Sequence, residues 1–254
     1  MTQHRINTGD HPPIKQYPRC LPLAKKEADH LVKEMLDNGI IEESSGPWAL
    51  PILLVEKKNA STRFCVDYRK LNEIMKKDSY PLPRIDDTLD ALNGSQWFTT
   101  LDLKSGYWQV EIRPDCREKT AFTTEQGLWQ FKVMPFGLCN TPATCERLMK
   151  TVLHRLSSKA CLVYLDDVIV GQTFEEHLNN LRKVFQKLHK ANLKLSPKKC
   201  RFFQKEVPYL GHVISTEGIK SDPEKFKTIV DWPRSETVQD LRSFLGLCTF
   251  IVIL

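Results

Sequence analysis

The chain has 254 residues with 37 Lys and Arg against 31 Asp and Glu, and its net charge of +6 favours a polyanionic partner without requiring one. No charged leader followed by an apolar run opens the chain, and no apolar run could span a bilayer, so we expect an intracellular, cytoplasmic protein with no targeting signal and no membrane partner. The eight cysteines lack Cys-x-x-Cys spacing, which predicts reduced core thiols and argues against a zinc site or a disulfide framework.

The N-terminal part of the chain predicts an extended lead-in, one helix and a hairpin. Residues 1–23 are rich in proline and lack periodicity. Apolar residues recur at helical spacing over residues 24–36, and Asn38-Gly39 supplies a stop. A buried strand follows at residues 49–55, and a second strand at residues 63–69 alternates an apolar face with a charged one.

The turn between these two strands is basic. It contains Lys57 and Lys58, and Arg63 follows it. A basic hairpin tip is ordinarily a solvated turn, but these three cations could also grip a phosphate, Arg63 through its bidentate fork. The residue types alone leave both interpretations open.

The next segment places one acid inside an apolar strand. Residues 85–92 predict a short helix, and residues 97–103 predict a strand that Asp102 interrupts. An isolated acid in such a run is costly to bury unless it is paired or binds a metal. After a turn at residues 104–106, we expect another strand over residues 107–112.

Residues 120–133 predict a strand pair, and the segment after it is dense in turn residues. This loop, residues 134–144, leads into a helix with Pro142 in its first turn, which we expect to reach Leu156. A glycine-containing loop at a helix N-terminus presents backbone N–H groups to a nucleotide or a nucleic-acid backbone. An ordinary loop before a helix is the alternative.

A pair of adjacent acids lies at residues 164–167, Tyr-Leu-Asp-Asp, between two short apolar runs. Strand formers around so short a polar break predict a tight hairpin that projects both carboxylates at its tip. Carboxylates are ligands that Mg²⁺ prefers, so the pair indicates a metal site, with a plain polar turn as the alternative. Asp102 is the obvious partner of Asp166 and Asp167.

The last third of the chain predicts helices and one more β segment. Apolar residues over 178–188 share one face of a helix that packs against a sheet. Residues 207–215 predict a strand or a hairpin around Gly211. Thr237 and Asp240 have the spacing of a capping box and predict the start of another helix.

Four segments carry a family resemblance. They are RFCVDYR at residues 63–69, TLDLKSGYWQ at 100–109, MPFGL at 134–138 and YLDD at 164–167. In this order and spacing they resemble reverse transcriptases, and in particular the pol polyprotein of gypsy-type long-terminal-repeat retrotransposons. The resemblance covers about residues 4–250, and four ordered motifs are far more specific than any one of them.

The resemblance implies an α+β right-hand polymerase fold, with fingers, a palm of antiparallel sheet and packed helices, and a truncated thumb. The implied divisions are an extended lead-in (1–23), fingers (24–95 and 113–140), palm (96–112 and 141–217, with catalytic hairpin and primer grip) and a truncated thumb (218–254). The family usually continues into the rest of the thumb, a connection and ribonuclease H.

The resemblance also implies an RNA-directed DNA polymerase, in which a primer 3′-hydroxyl attacks the α-phosphate of a deoxynucleoside triphosphate. The implied metal site comprises Asp102, Leu103, Asp166 and Asp167, holds two Mg²⁺ ions and can accept Mn²⁺. Asp102 and Asp166 would bridge the ions, with Asp167 in a supporting role. Implied partners are an RNA or DNA template with primer, deoxynucleoside triphosphates, and other pol domains or a second copy. The alternative is an inactive, truncated retrotransposon remnant that at most binds nucleic acid.

The remaining site residues are likewise implied by the resemblance. The nucleotide pocket would comprise Lys57 or Lys58, Arg63, Lys104, Ser105, Gly106, Tyr107, Phe136 and Gly137. Within this pocket, Tyr107 would be an aromatic gate against a ribose 2′-hydroxyl. The primer grip would comprise Tyr209, Leu210, Gly211 and His212. Lys198 or Lys199 would protonate the leaving pyrophosphate, with solvated lysines as the alternative.

Overall fold

The computed structural model describes residues 2–17, 25–56, 62–92, 94–154, 156, 160–221 and 223–252. In these ranges the α-helices are Lys25–Asp37 (α1), Arg69–Ile74 (α2), Ile85–Asp90 (α3), Thr141–Val152 (α4), Phe174–Lys190 (α5), Pro223–Val230 (α6) and Val238–Val252 (α7). The strands are Ile41–Glu43 (β1), Ile52–Glu56 (β2), Thr62–Val66 (β3), Trp97–Asp102 (β4), Phe122–Thr124 (β5), Gly127–Phe131 (β6), Leu162–Tyr164 (β7), Asp167–Gln172 (β8), Arg201–Gln204 (β9), Glu206–Tyr209 (β10), His212–Ser215 (β11) and Gly218–Ser221 (β12). Two 3₁₀ helices span Gly106–Gln109 and Pro114–Thr120.

The central sheet has four antiparallel strands in the order β7-β8-β4-β9. Its register pairs Asp102, the last residue of β4, with Asp167, the first residue of β8. Side chains on a strand alternate between faces, and Leu101 lies in the larger hydrophobic core while Phe98 lies in a smaller one. Both faces are therefore buried, which explains why these strands are nearly unbroken apolar runs.

Helix α5 packs against this sheet, as its apolar face predicts. Its buried residues Leu181, Val184 and Leu188 belong to the larger core. The ring Nε2 of His177 lies 2.7 Å from Oγ1 of Thr99 on β4, so a buried hydrogen bond also joins the helix to the sheet. Strand β4, which carries Asp102 at its end, is thus held by a helix at Thr99 as well as by its neighbouring strands.

Three smaller sheets complete the β structure of the described residues. They have the orders β1-β6-β5, β2-β3 and β10-β11-β12. A bridge between Leu50 and Phe122 joins the chain before β2 to β5. Phe122 is fully buried and its ring lies 5.2 Å from that of Phe64 on β3, so the β2-β3 hairpin rests on the larger core.

Residues 2–17 of the predicted lead-in contain no helix and no named strand, and they are anchored to the rest of the chain. The remainder of the lead-in, residues 1 and 18–23, lies outside the described residues. His4 is fully buried, its N–H donates to Glu111 O, and its carbonyl accepts from Arg113 N. Its ring Nδ1 lies 2.9 Å from Oγ1 of Thr144 on α4. Burial lowers the pKa of His4 from 6.5 to about 4, although the charge of Asp78 opposes the shift.

Acidification is expected to destabilise the chain through His4. The unfolded chain binds a proton at this histidine below pH 6.5, whereas the folded chain does so only near pH 4, so stability is lost as the pH falls between these values. The loss approaches about 3 kcal/mol. Thermal unfolding of the unsubstituted chain and of His4→Gln, which cannot titrate, measures it. The stability of the unsubstituted chain should fall relative to the variant on acidification, and parallel pH profiles would contradict this assignment.

Several predicted elements are confirmed. Strands β5 and β6 pair within residues 120–133, and β10 and β11 form the hairpin around Gly211. The capping box also forms, because Asp240 N donates to Thr237 Oγ1 at 3.1 Å and Thr237 N donates to Asp240 Oδ2 at 3.0 Å. These features rest on short-range patterns, which the sequence displays directly.

Two predicted elements need correction. The strand over residues 107–112 is wrong at its start, because Gly106–Gln109 form a 3₁₀ helix. Trp108 N donates to Ser105 O at 2.8 Å, and Val110 N donates to Tyr107 O at 3.1 Å. Helix α4 ends at Val152, four residues before the predicted end at Leu156.

The strand predicted at residues 63–69 is wrong at its end, because β3 stops at Val66 and α2 begins at Arg69, and its predicted charged face is wrong at Asp67. Asp67 is buried, and its carboxylate accepts two hydrogen bonds from the Arg69 guanidinium at 2.9 and 2.7 Å. A bidentate ion pair satisfies a buried carboxylate and so allows its burial.

The cysteine and membrane expectations can be compared directly with the structure. All seven cysteines in the described ranges are free thiols, and Cys116, Cys145 and Cys161 are buried. Cys139 is exposed, against the prediction of a core position, and Cys20 lies outside the described residues. Within those ranges, no helix combines the length and the apolar character needed to cross a bilayer.

Candidate active site

The hairpin of β7 and β8 carries the adjacent acids at its tip, as predicted. Tyr164 pairs with Asp167, so the turn consists of Leu165 and Asp166. Leu165 has a φ of +57°, the left-handed value that a type II′ turn requires at its first central position and that normally selects glycine. A leucine therefore holds a strained position immediately before Asp166.

Three acidic residues lie on adjoining chain segments where β4 ends and β8 begins. Asp102 lies opposite Asp167 in the register, and Asp166 directly precedes Asp167. Burial, followed by the charges of Asp166 and Asp102, raises the pKa of Asp167 to about 6. Burial and the charge of Asp102 also raise the pKa of Asp166, although a backbone hydrogen bond opposes that shift. The group holds more negative charge than its surroundings compensate, a state that a bound cation relieves.

Lys199 lies against this group. Its Nζ is 3.0 Å from Oδ2 and 3.2 Å from Oδ1 of Asp102. The Lys199 side chain is 66% exposed and that of Asp102 is 21% exposed, so water screens the ion pair and weakens it. Among the described residues, no three His, Cys, Asp or Glu side chains are already gathered as a metal cluster. The all-oxygen donors at this end of the sheet nevertheless suit Mg²⁺ by their chemistry.

The turn that follows β4 approaches the hairpin closely. A Cβ built on Gly106 would lie only 2.9 Å from Cβ of Asp166 and 3.3 Å from Cβ of Leu103. Residue 106 must therefore lack a side chain for the turn and the carboxylates to adjoin. Ser105 adopts φ 51° and ψ 55°, again left-handed. Gly106 is thus brought against Asp166, with Lys104 and Ser105 directly before it in the turn.

Aromatic residues lie on the other side of this turn. The rings of Tyr107 and Phe136 are 5.2 Å apart, and the Arg63 guanidinium carbon lies 5.7 Å from the Phe136 centroid. Burial, followed by the charge of Asp166, raises the pKa of Tyr107 to about 12. The structure therefore brings Arg63, Tyr107 and Phe136 together beside the carboxylates, while Lys57 and Lys58 lie outside the described residues.

The loop that carries Gly137 is held by an asparagine that the sequence pattern did not single out. Asn72 Nδ2 donates to Gly137 O at 2.8 Å, and Cys139 N donates to Asn72 Oδ1 at 2.9 Å. Gly137 has a φ of +94° and packs near Tyr68. Asn72 thus fixes the backbone next to Phe136.

The β10-β11 hairpin carries the predicted primer-grip residues. Tyr209 pairs with His212, and both central residues, Leu210 and Gly211, have positive φ, as in a type I′ turn. Burial, followed by the charge of Asp167, raises the pKa of Tyr209. The Tyr209 hydroxyl is buried and has no hydrogen-bond partner among the described residues. Tyr209 therefore lies within electrostatic range of Asp167.

A fourth acid, Glu146, supports the Asp-Asp hairpin from α4. It is fully buried, and its Oε2 accepts a hydrogen bond from Leu165 N at 2.9 Å. Its Oε1 lies 3.5 Å from Nζ of Lys150, one turn along the helix. Glu146 lies on the buried face of α4, which also carries Cys145 and Met149. An acid at such a position of a helix is the sequence signal that could have revealed it.

A family model described as "Reverse transcriptase (RNA-dependent DNA polymerase)" matches residues 55–214, more than half of the chain. The chain belongs to the reverse transcriptase family. The match includes Asp102, the Asp166-Asp167 hairpin and the turn at Gly211, so every cluster of the candidate site lies inside the family region.

The similar curated proteins are retrotransposon polyproteins. The chain is 44% identical over 254 residues to the retrovirus-related Pol polyprotein from transposon 297 of Drosophila melanogaster, covering 96% of this chain and 24% of that protein. It is 40% identical to the Pol polyprotein from transposon gypsy of the same organism, with the same coverage. Identity to the transposon Tf2-3 polyprotein of Schizosaccharomyces pombe is 35%, covering 94% of this chain and 18% of that protein. The chain thus spans about a quarter or less of the length of these relatives.

Solved reverse transcriptases share its fold. The foamy viral protease-reverse transcriptase in complex with dsDNA has a TM-score of 0.89 and 27% identity, covering 98% of this chain and 52% of that one. The same enzyme in complex with an RNA/DNA hybrid has a TM-score of 0.86 and 28% identity, covering 98% and 34%. These likenesses confirm the α+β right-hand polymerase fold expected from the reverse transcriptase motifs.

Proposed function

We propose that this chain is an RNA-directed DNA polymerase domain of a retrotransposon Pol polyprotein, adding deoxynucleotides to a primer 3′-hydroxyl. The observation that carries the proposal is the placement of Asp102, Asp166 and Asp167 at adjoining strand ends in a reverse transcriptase fold. In this proposal residues 96–112 and 141–217 form the palm, and residues 24–95 and 113–140 form the fingers. Other pol domains or a second copy are further proposed partners.

Asp102 and Asp166 would hold two Mg²⁺ ions, with Leu103 and Asp167 completing the site. The raised pKa values of Asp166 and Asp167 support this assignment, because carboxylates that repel one another in a buried site bind cations readily. When bound, such ions activate the attacking hydroxyl and stabilise the leaving oxygen, and Mn²⁺ can replace Mg²⁺ because both accept oxygen ligands.

The nucleotide would lie between the carboxylates and the aromatic residues beside them. Arg63 and Lys104 would neutralise its triphosphate along the turn of Ser105 and Gly106, with Lys57 or Lys58 added from the hairpin tip. Phe136 and Gly137 would line the pocket. Tyr107 would lie where a ribose 2′-hydroxyl projects, and its half-buried ring beside Phe136 supports a steric gate.

Lys199 would act on the leaving pyrophosphate. Its contact with Asp102 favours it over Lys198 for this role, because an ammonium at the carboxylates also lies close to phosphates held there. Tyr209, Leu210, Gly211 and His212 would position the primer end, which their nearness to Asp167 supports. The template and primer would be RNA or DNA, as in the solved foamy viral complexes, and affinity would fall with salt because phosphate contacts dominate it.

Extension of a DNA primer on a poly(rA) template in Mg²⁺ tests the proposal. The unsubstituted chain should extend the primer, chelation of Mg²⁺ should stop extension, and Asp166→Ala should lose several kcal/mol of transition-state stabilisation, or about a thousandfold in rate. Circular dichroism of both chains verifies that they are folded.

The opposite result is equally informative. The polymerase assignment would be overturned by a folded chain that extends no primer but still binds the template-primer duplex in a salt-dependent manner. The chain would then be a nucleic-acid-binding remnant.

A further inference from the structure

The turn between β4 and the first 3₁₀ helix is held by a side chain that has no part in the proposed chemistry. Gln109, the last residue of that helix, donates from Nε2 to Lys104 O at 2.8 Å and to Lys194 O at 2.9 Å. Its Oε1 accepts from Lys194 N at 2.7 Å. The amide thus uses both of its donors and its acceptor on backbone groups, which gives it one fixed orientation.

These bonds tie together two segments that are distant in sequence. Lys194 lies 85 residues from Gln109, in the segment that leaves α5. Lys104 N also donates to Lys194 O at 2.9 Å, and Leu103 forms a bridge with Leu195. The backbones of residues 103–104 and 194–195 thus form a small junction. The Gln109 side chain adds three hydrogen bonds to the backbone bonds of this junction.

The junction fixes a turn that would not hold its shape by itself. Ser105 is left-handed, a conformation unfavourable for a residue with a side chain. Gly106 must also lie within contact distance of Asp166, with no room for a Cβ. A small movement of Lys104 would therefore shift the whole turn relative to the carboxylates.

We infer that Gln109 is a positioning residue for the incoming nucleotide: it locks the turn of residues 104–106 in the geometry that receives the triphosphate. The inference rests on the proposed polymerase function, since that function places the triphosphate along this turn. Gln109 acts through Lys104 and Lys194 and does not itself touch the nucleotide. Its removal weakens nucleotide binding more than template binding, because the displaced groups are those that face phosphate.

Two variants and a matched control test this inference. Gln109→Ala removes all three bonds. Gln109→Glu keeps the size and the acceptor for Lys194 N but places a carboxylate against two carbonyl oxygens. The control is Gln204→Ala, since Gln204 lies on β9, is exposed, and bonds only locally to Phe202 O.

Steady-state primer extension separates positioning from general damage. Both Gln109 variants should raise the KM for the deoxynucleoside triphosphate about tenfold, with kcat and the KM for template-primer changing less than about threefold. Gln204→Ala should match the unsubstituted chain. A nucleotide KM within twofold of the unsubstituted value in both variants overturns the inference.

Hydrogen exchange measured by mass spectrometry gives a readout that needs no activity. Peptides covering residues 103–110 and 192–196 should exchange faster in both Gln109 variants, and at unchanged rates in Gln204→Ala. Faster exchange with an unchanged nucleotide KM overturns the positioning role, and a raised KM without faster exchange points to direct nucleotide contact and also overturns it. If the unsubstituted chain extends no primer, the polymerase proposal fails, while the exchange data still decide whether Gln109 locks the turn.

Discussion

The Asp167→Asn variant is expected to be more stable than the unsubstituted chain when no divalent cation is present, and to lose about a hundredfold or more of its Mg²⁺-dependent extension. Both effects have one cause. Burial and the charges of Asp166 and Asp102 raise the pKa of Asp167 from 3.8 to about 6, so its ionised form is unfavourable in the folded chain. The same concentrated charge is what would bind the cation.

The size of the stabilisation follows from that shift. A shift of about two units corresponds to nearly 3 kcal/mol, and solvent screening of this partly exposed group reduces it to about 1–2 kcal/mol. For a chain of this length we expect a rise in Tm of roughly 3–6 °C. Added Mg²⁺ should raise the Tm of the unsubstituted chain more than that of the variant, because the variant binds it less well.

The pH dependence of this rise in Tm tests whether its cause is the ionisation of Asp167. Above pH 6 the folded chain bears the full cost of the ionised Asp167, and as the pH falls from 6 towards 4 the folded chain binds a proton before the unfolded chain does. The difference in Tm between variant and unsubstituted chain should thus be largest above pH 6.5 and vanish near pH 4. Asp102→Asn loses a solvent-screened pair with Lys199 but also removes the smaller repulsion that Asp102 exerts on Asp166 and Asp167, so its Tm should rise less than that of Asp167→Asn. A lower Tm for Asp167→Asn at pH 7.5 would contradict the electrostatic account.

The sequence predicted those parts of the fold that depend on local patterns. The apolar runs around residues 164–167 and the short break between them predict the β7-β8 hairpin, and residues 120–133 predict the β5-β6 pair. The 3₁₀ helix at Gly106–Gln109 was not predictable in this way, because Tyr107 to Ile112 reads like a half-buried strand. Its geometry depends on Ser105 and on a bond from Lys104 to Lys194, which only tertiary structure supplies.

The residues of the candidate site also divide into those that the sequence predicts and those that only the folded structure reveals. Asp102 is conspicuous as an acid inside an apolar strand, and Asp166 and Asp167 are conspicuous as adjacent acids in a short break between two apolar runs. Gln109, Asn72 and Glu146 are not, because each acts on a backbone group elsewhere in the chain: Lys194, Gly137 and Leu165 respectively. The sequence can show where such a polar side chain stands, as with an acid on a buried helix face or the last residue of a motif, but only the folded structure shows which distant backbone group it binds.

Replacing Glu146 with leucine is expected to reduce primer extension by about a hundredfold, because a displacement of about 1 Å at a reacting centre can cost that much. The substitution leaves the Leu165 N–H without its acceptor at 2.9 Å, in a residue already held at a left-handed φ. The turn should then relax and carry Asp166 away from Asp102. Glu146→Gln keeps a carbonyl acceptor at this place and should retain most of the activity.

Stability should respond differently from activity in these variants. Losing the hydrogen bond costs about 1–3 kcal/mol, but removing a fully buried carboxylate also removes its desolvation penalty, so the Tm of Glu146→Leu should change by only a few degrees.

Lys150→Met removes the neighbouring cation while keeping the acceptor, and its extension rate should stay within about threefold of the unsubstituted chain. Primer-extension rates and half-saturating Mg²⁺ concentrations of the three variants show whether the hydrogen bond or the charge of Glu146 matters. If the extension rate of Glu146→Gln fell as far as that of Glu146→Leu, the buried charge itself would be required. If Glu146→Leu stayed active, the Leu165 bond would not position the carboxylates.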